Sequence, residues 1–225
     1  MKIVVATHNE GKLPEIRTII EAELGKAAQH VELVSAGSMN LPDPVETGVT
    51  FEENALIKAR DVAKRTGLPA LADDSGLIVD VLGAAPGILS ARWAGAHGHD
   101  KANNALLLAQ LEDIPDGKRG ARFNCAAALV VPKHCGEERP NGTTPKAEET
   151  VELGEMRGTV IREPRGENGF GYDSIFVPND QPGRLNDDGE KLTSAEMSAE
   201  EKNAISHRHK AFVALAPAIK ELIGC

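Results

Sequence analysis

The segment Leu68-Pro69-Ala70-Leu71-Ala72-Asp73-Asp74-Ser75-Gly76-Leu77-Ile78-Val79-Asp80-Val81-Leu82 sets two adjacent carboxylates between two apolar runs. Side chains alternate across a strand, so the pattern predicts a strand ending at the acids, a turn at Ser75-Gly76, and a second strand from Leu77. Both acids then stay near solvent. A carboxylate pair at such a corner is a ready ligand for a hard cation, because Mg2+ prefers oxygen and takes one or two protein carboxylates beside substrate phosphates. The same residues also suit a solvated Asp-Asp turn with no ligand, and alone they do not decide between the two.

Upstream, Lys2-Ile3-Val4-Val5-Ala6-Thr7 is a short β-branched run typical of a buried strand. It leads through His8-Asn9-Glu10-Gly11-Lys12 into a helical pattern with Leu13, Ile16, Ile19, Ile20 and Leu24 on one face. Pro14 falls in the first turn, where its missing N–H costs nothing. A strand, a polar turn and a helix N-terminus together present backbone N–H groups to an anion. Thr7 and Asn9 add side-chain donors and Lys12 adds a positive charge. The loop is not a P-loop, which needs a longer glycine-bounded segment ending Gly-Lys-Ser/Thr. An ordinary strand-to-helix turn is the plainer alternative.

Downstream, Asn168-Gly169-Phe170-Gly171-Tyr172-Asp173 places aromatic rings among glycines. Glycine lets backbone approach a flat ligand, and a ring can stack on a base. Core packing is the alternative role for either ring. Ser198 with Glu201 three residues later forms a capping box and predicts a helix start. Lys202 and Arg208 are then spaced to reach a phosphate and a base, provided a break near Ser206 re-aims the second. As surface cations on an amphipathic helix they would need no ligand.

Five segments occur in order along nearly the whole chain: Thr7-His8-Asn9-Glu10-Gly11-Lys12, Glu46-Thr47-Gly48, Ala72-Asp73-Asp74-Ser75-Gly76, Gly169-Phe170-Gly171-Tyr172-Asp173 and Ser206-His207-Arg208. Together they resemble the inosine/xanthosine triphosphate pyrophosphatase family. The resemblance implies hydrolysis of ITP, dITP and XTP to the monophosphate and pyrophosphate, with Mg2+ as cofactor and a homodimeric assembly. It implies Asp74 as the catalytic proton acceptor, and Glu46, Asp73 and Asp74 as metal ligands. A solvated loop acid is the alternative reading of Glu46. Substrate binding is carried over to Thr7, His8, Asn9, Glu10, Gly11, Lys12, Ser75, Phe170, Gly171, Tyr172, Asp173, Lys202, His207 and Arg208. His8 stands where many members carry glycine. Two other readings of the same residues are a non-catalytic purine nucleotide sensor and a pyrophosphatase for other modified nucleotides.

Composition narrows the class. The 225 residues fit one domain, or two small lobes around a shared core. A hydrophobic share of 41% and a charged share of 26% are those of a globular protein. Aromatics make up only 3%, so the core must be built from Ala, Leu, Val and Ile. The net charge of −9 argues against a nucleic-acid partner, which calls for a basic face. A small triphosphate needs only a local cradle such as Lys12, Lys202 and Arg208, since salt screens distant charge beyond about 8 Å. No stretch approaches the roughly 20 apolar residues of a membrane span, and the opening residues read as a strand rather than a leader. Cys125, Cys135 and Cys225 lack metal or disulfide spacing, which suits a reducing cytoplasm. The pairs His97/His99 and His207/His209 have no third ligand nearby, so zinc is not expected.

Remaining elements follow from caps and periodicity. Val31–Ser35 reads as a strand. Thr50-Phe51-Glu52-Glu53 reads as a capping box opening a helix to about Arg65, with Gly67 as its stop. Gly83 to Gly98 reads as loop, and a Leu-rich helix follows over about Asp100 to Leu111. Ala121–Val131, Thr150–Met156 and Gly158–Ile161 read as three strands, and 132–149 as a mobile hairpin insert. The last helix runs to Ile223, kinked or divided at Pro217. The pattern predicts an α/β fold with a mixed sheet. The resemblance implies a long twisted sheet flanked by helices, with two lobes and a central cleft, in a single domain over 1–225.

Overall fold

The computed structural model describes residues 1–8, 11–132 and 147–224. Its strands are β1 (Lys2–Val5), β2 (Glu32–Ser35), β3 (Ala70–Val79), β4 (Gly120–Val131), β5 (Glu148–Val160) and β6 (Phe176–Pro178). Its α-helices are α1 (Lys12–Leu24), α2 (Phe51–Thr66), α3 (Asp100–Gln110), α4 (Ala199–Ile205) and α5 (His207–Leu222). The strands form a six-stranded sheet in the order β2-β1-β3-β4-β5-β6. β1 runs parallel to β2 and β3, whereas β6 is antiparallel to β5, so the sheet is mixed as expected. Among the described residues no helix is long and apolar enough to cross a membrane.

The chain divides into two compact units, Met1–Asp74 with Ala126–Leu153 and His209–Cys225, and Ser75–Cys125 with Gly154–Arg208. In the first, β1 is wholly apolar after Lys2, and Ile3, Val4 and Val5 are fully buried. A parallel strand covered on both faces reads as a continuous hydrophobic run rather than an alternating one. Helix α1 buries Ile16, Ile19, Ile20 and Leu24, the predicted face apart from half-buried Leu13. Helix α5 buries Ala211, Phe212, Leu215, Ala216 and Ile219 at helical spacing. Burying each of the larger side chains stabilises the fold by about 1.5–3 kcal/mol. Pro217 neither divides nor ends α5, which continues to Leu222.

The second unit is built around Leu77, Val79, Leu107, Phe123, Met156, Tyr172 and Phe176, which share one apolar cluster. Arg119 is among its most buried side chains. Its guanidinium donates to Leu111 O at 2.6 Å, Val160 O at 2.9 Å and Ile161 O at 3.1 Å. A cation thereby satisfies the carbonyl of Leu111, the C-cap of α3, and ties that end to the end of β5.

Three expectations are corrected. β3 passes through Asp73-Asp74-Ser75-Gly76 without a turn, and both acids are buried, at 4% and 9% exposure. Their charge is met by side chains from other elements, so no strand end is needed. Thr150–Met156 and Gly158–Ile161 form one strand, β5, because Gly158 keeps its place in the ladder opposite Pro178. At α2 only half of the capping box forms: Thr50 accepts from Glu53 N–H, but the Glu53 carboxylate reaches Val49 N–H at 2.7 Å instead. The box at Ser198 and Glu201 is complete. The proposed insert lies, over 133–146, outside the described residues.

Candidate active site

The first unit holds a charged cluster. Helix α2 buries Phe51, Ala55, Ala59 and Val62, and the same stripe carries Asn54 and, one turn on, Lys58. Lys58 Nζ lies 2.8 Å from Asp74 Oδ1 and 2.8 Å from Glu46 Oε1. The two carboxylate oxygens are therefore no further apart than twice that distance. Asn54 completes the arrangement: Nδ2 donates to Asp74 Oδ2 at 3.4 Å, and Oδ1 accepts from Gly48 N–H at 2.9 Å. A side chain at Gly48 would place its Cβ 2.6 Å from Asn54 Oδ1, so glycine is required for the Glu46 loop to dock there. Lys12, at the start of α1, gives Nζ to both Asp73 oxygens at 3.2 and 3.3 Å.

Electrostatics follow from burial. Desolvation raises the Asp74 carboxyl above its ordinary range; Lys58 pulls the other way, while Glu46 and Asp73 add to the rise. Burial would lower the Lys58 ammonium, but attraction to Asp74, Asp73 and Glu46 outweighs it, so the group stays charged.

The second unit holds a pocket lined by Ser75, Phe123, Phe170, Tyr172, His207 and Arg208, among others. Phe170 is 50% exposed and carries Lys202 Nζ 5.1 Å from its ring centroid. Tyr172 is 3% exposed, and its hydroxyl donates to Ser90 O at 2.9 Å. Burial raises that hydroxyl well above the usual phenol range, with Asp100 adding to it. Asp173 accepts from Lys202 Nζ at 2.5 Å and from Phe170 N–H at 2.9 Å. Ser206 is extended between α4 and α5, the expected break. It sets His207 flat against Phe123, with centroids 4.9 Å apart and planes at 14°. Arg208, 3% exposed, lines the pocket from the first turn of α5.

A model of the Ham1 family matches residues 3–218. The chain belongs to the Ham1 family. A Bifidobacterium longum protein named dITP/XTP pyrophosphatase is 65% identical over 99% of this chain and all of its own length. A Streptomyces avermitilis protein of the same name is 53% identical, with 99% of each chain covered. The crystal structure of the nucleoside-triphosphatase / dITP/XTP pyrophosphatase from Mycobacterium abscessus is similar at 50% identity, covering 96% of this chain and all of its own, with a TM-score of 0.69. The Staphylococcus aureus Ham1 protein gives a TM-score of 0.75 at 32% identity, covering 99% of this chain and all of its own.

In this Ham1 protein the predicted site residues fall into those two groups. Glu46, Asp73, Asp74 and Lys12 meet in the first unit, with Thr7 buried at the end of β1. His8 Nε2 donates to Leu41 O at 2.5 Å and Nδ1 faces the Asp43 carboxylate, so it braces the loop leading to Glu46. Gly11 is the residue before α1, and Asn9 and Glu10 lie outside the described residues. Ser75, Phe170, Gly171, Tyr172, Asp173, Lys202, His207 and Arg208 all line the second unit's pocket.

The sequence reading missed Asn54 and Lys58 of the charged cluster, and Asp100 and Asn103, which line the pocket. Two polar residues within the apolar stripe of α2 were the available signal for the first pair. Nothing local marks the second pair.

Proposed function

We propose that this Ham1 protein hydrolyses non-canonical purine nucleoside triphosphates (ITP, dITP and XTP) to the nucleoside monophosphate and pyrophosphate, with Mg2+. The observation that carries the proposal is the charged cluster of the first unit, in which Lys58 holds Asp74 and Glu46 and Lys12 holds Asp73. Phosphate work is assigned to this cluster and base recognition to the second unit's pocket.

Water attacks the α-phosphorus and pyrophosphate leaves, a displacement that depends on positioning and charge neutralisation more than on covalent help. Asp74 is assigned as proton acceptor, and its upward-shifted carboxyl is the better base for it. Lys12 and Lys58 supply fixed positive charge. Arg208 donors would pair with the 6-oxygen of hypoxanthine or xanthine; adenine would bring an amino donor against them. Phe170 offers the exposed ring face for stacking.

Glu46, Asp73 and Asp74 present only oxygen donors and share two ammonium groups among three carboxylates. Among the described residues no group of three or more His, Cys, Asp or Glu side chains is placed to hold a metal ion by itself, so an ion here would have to draw on water and phosphate as well. That donor set fits Mg2+, which takes one or two carboxylates and completes its shell with water and phosphate, and does not suit a soft metal. Bound there, Mg2+ would offset charge on the pyrophosphate leaving group. A homodimer and a cytoplasmic location belong to the same proposal, the first resting on the family and the second on the nucleotide substrate.

Pyrophosphate release measured across ITP, XTP, GTP, ATP and dUTP, with and without chelator, tests the proposal. Turnover confined to ITP and XTP, and lost with EDTA, is expected. Binding without turnover would establish a sensor instead, and dUTP as best substrate a different pyrophosphatase. Orthophosphate as the released product would refute the assigned bond cleavage.

A further inference from the structure

Gly171 sits between Phe170 and Tyr172 in the left-handed region, with φ +61°. Both of its backbone polar groups are held by one helix. Asp100, the first residue of α3, accepts from Gly171 N–H through Oδ2 at 2.7 Å. Asn104, one turn later on the same face, donates Nδ2 to Gly171 O at 3.0 Å and to Ser174 Oγ at 3.3 Å. An acid in a first helical turn ordinarily serves its own helix's open N–H groups; here the Asp100 carboxylate reaches the Phe170 loop. Asn104 Oδ1 is buried with no hydrogen-bond partner among the described residues. Burying an amide oxygen unpaired is costly, and the fold tolerates it where the NH2 is used.

The two neighbours of Gly171 differ sharply. Tyr172 is anchored in the core, while the Phe170 ring stands half exposed at the pocket. The direction in which Phe170 leaves the core is set at Gly171. We propose that Asp100 and Asn104 are positioning residues for substrate affinity: by clamping both peptide groups of Gly171 they hold the Phe170 ring as a stacking surface for the purine. This rests on the base-pocket reading above. Stacking is tolerant of base identity, so the clamp governs how tightly any purine nucleotide is held, whereas Arg208 governs which one. Neither clamp residue is assigned contact with substrate.

Steady-state kinetics with ITP and ATP on Asp100→Ala, Asn104→Ala, Asp100→Asn and Phe170→Ala test the clamp, with thermal melting of each variant. Asp100→Ala and Asn104→Ala should raise KM about tenfold for both nucleotides and leave kcat within about threefold, keeping the ITP-to-ATP preference. Asp100→Asn retains an acceptor oxygen for Gly171 N–H and should restore KM to near wild type. An unchanged KM in folded Ala variants overturns the clamp. So does Asp100→Asn behaving like Asp100→Ala, or kcat and melting temperature falling together with no KM effect. Phe170→Ala separates the two levels: if it leaves KM unchanged, the stacking role fails; if it raises KM and the clamp variants do not, the clamp alone fails.

Discussion

Lys58 Nζ sits 2.8 Å from Asp74 Oδ1, and the contact joins α2 to the middle of β3. The same ammonium serves Glu46, so one positive charge holds two carboxylates that would otherwise repel. This lets an acid lie mid-strand rather than at a solvated corner, and keeps Asp74 fixed and partly desolvated.

Asp74→Asn keeps the shape of the side chain and removes the proton acceptor. Pyrophosphate release should fall at least 100-fold while calorimetry still records nucleotide binding. A near-normal rate would move the base elsewhere.

Lys58→Met strands the Asp74 and Glu46 charges. Breaking a buried pair from one side costs about 3 kcal/mol, which urea unfolding should read as a lower midpoint. Adding Asp74→Asn to Lys58→Met should recover part of the loss, because the more buried of the two stranded charges is then gone. A single variant as stable as wild type would mean the ammonium contributes nothing net.

Arg208→Ala removes buried donors from the pocket. The ratio of kcat/KM for ITP over ATP should drop roughly 10- to 100-fold, the worth of a hydrogen bond to a charged group. An unaltered ratio would place base discrimination on another residue.

Acid stability should depend on Glu201. Its carboxyl is held down to about 2, first by the Arg184 guanidinium and then by Ser198 N–H. A depressed carboxyl stabilises the fold above its ordinary pKa of 4.5, and that contribution disappears as pH falls toward 2. The melting-temperature gap between wild type and Glu201→Gln should be full at pH 6, shrink below 4.5 and close near 2. High salt should narrow it at pH 6, since the pair is exposed. A gap constant from pH 6 to 2 would show that the ion pair is not its source.

Much of this molecule is legible locally. The β-branched run of β1, the apolar face of α1, the Ser198 capping box and the stop at Gly67 depend on neighbours within one helical turn or one strand, so they can be read without a fold. The aromatic-glycine run and the Ser206 break were visible for the same reason. The Asp73-Asp74 turn was misjudged because a solvated corner is the usual way to place two acids beside apolar residues. The partners that remove that need, Lys12, Asn54 and Lys58, lie at least 16 residues away.

What the chain alone determined is its element types, its acidic and aromatic candidates, and its family motifs, because spacing and side-chain chemistry suffice for those. Only the tertiary structure decided that Lys58 bridges Asp74 and Glu46, that Arg119 closes the end of α3, and that Gly171 is gripped by Asp100 and Asn104. These are long-range pairings. A buried charge or amide is tolerated only where a partner arrives from another element, and no local pattern encodes which residue that will be.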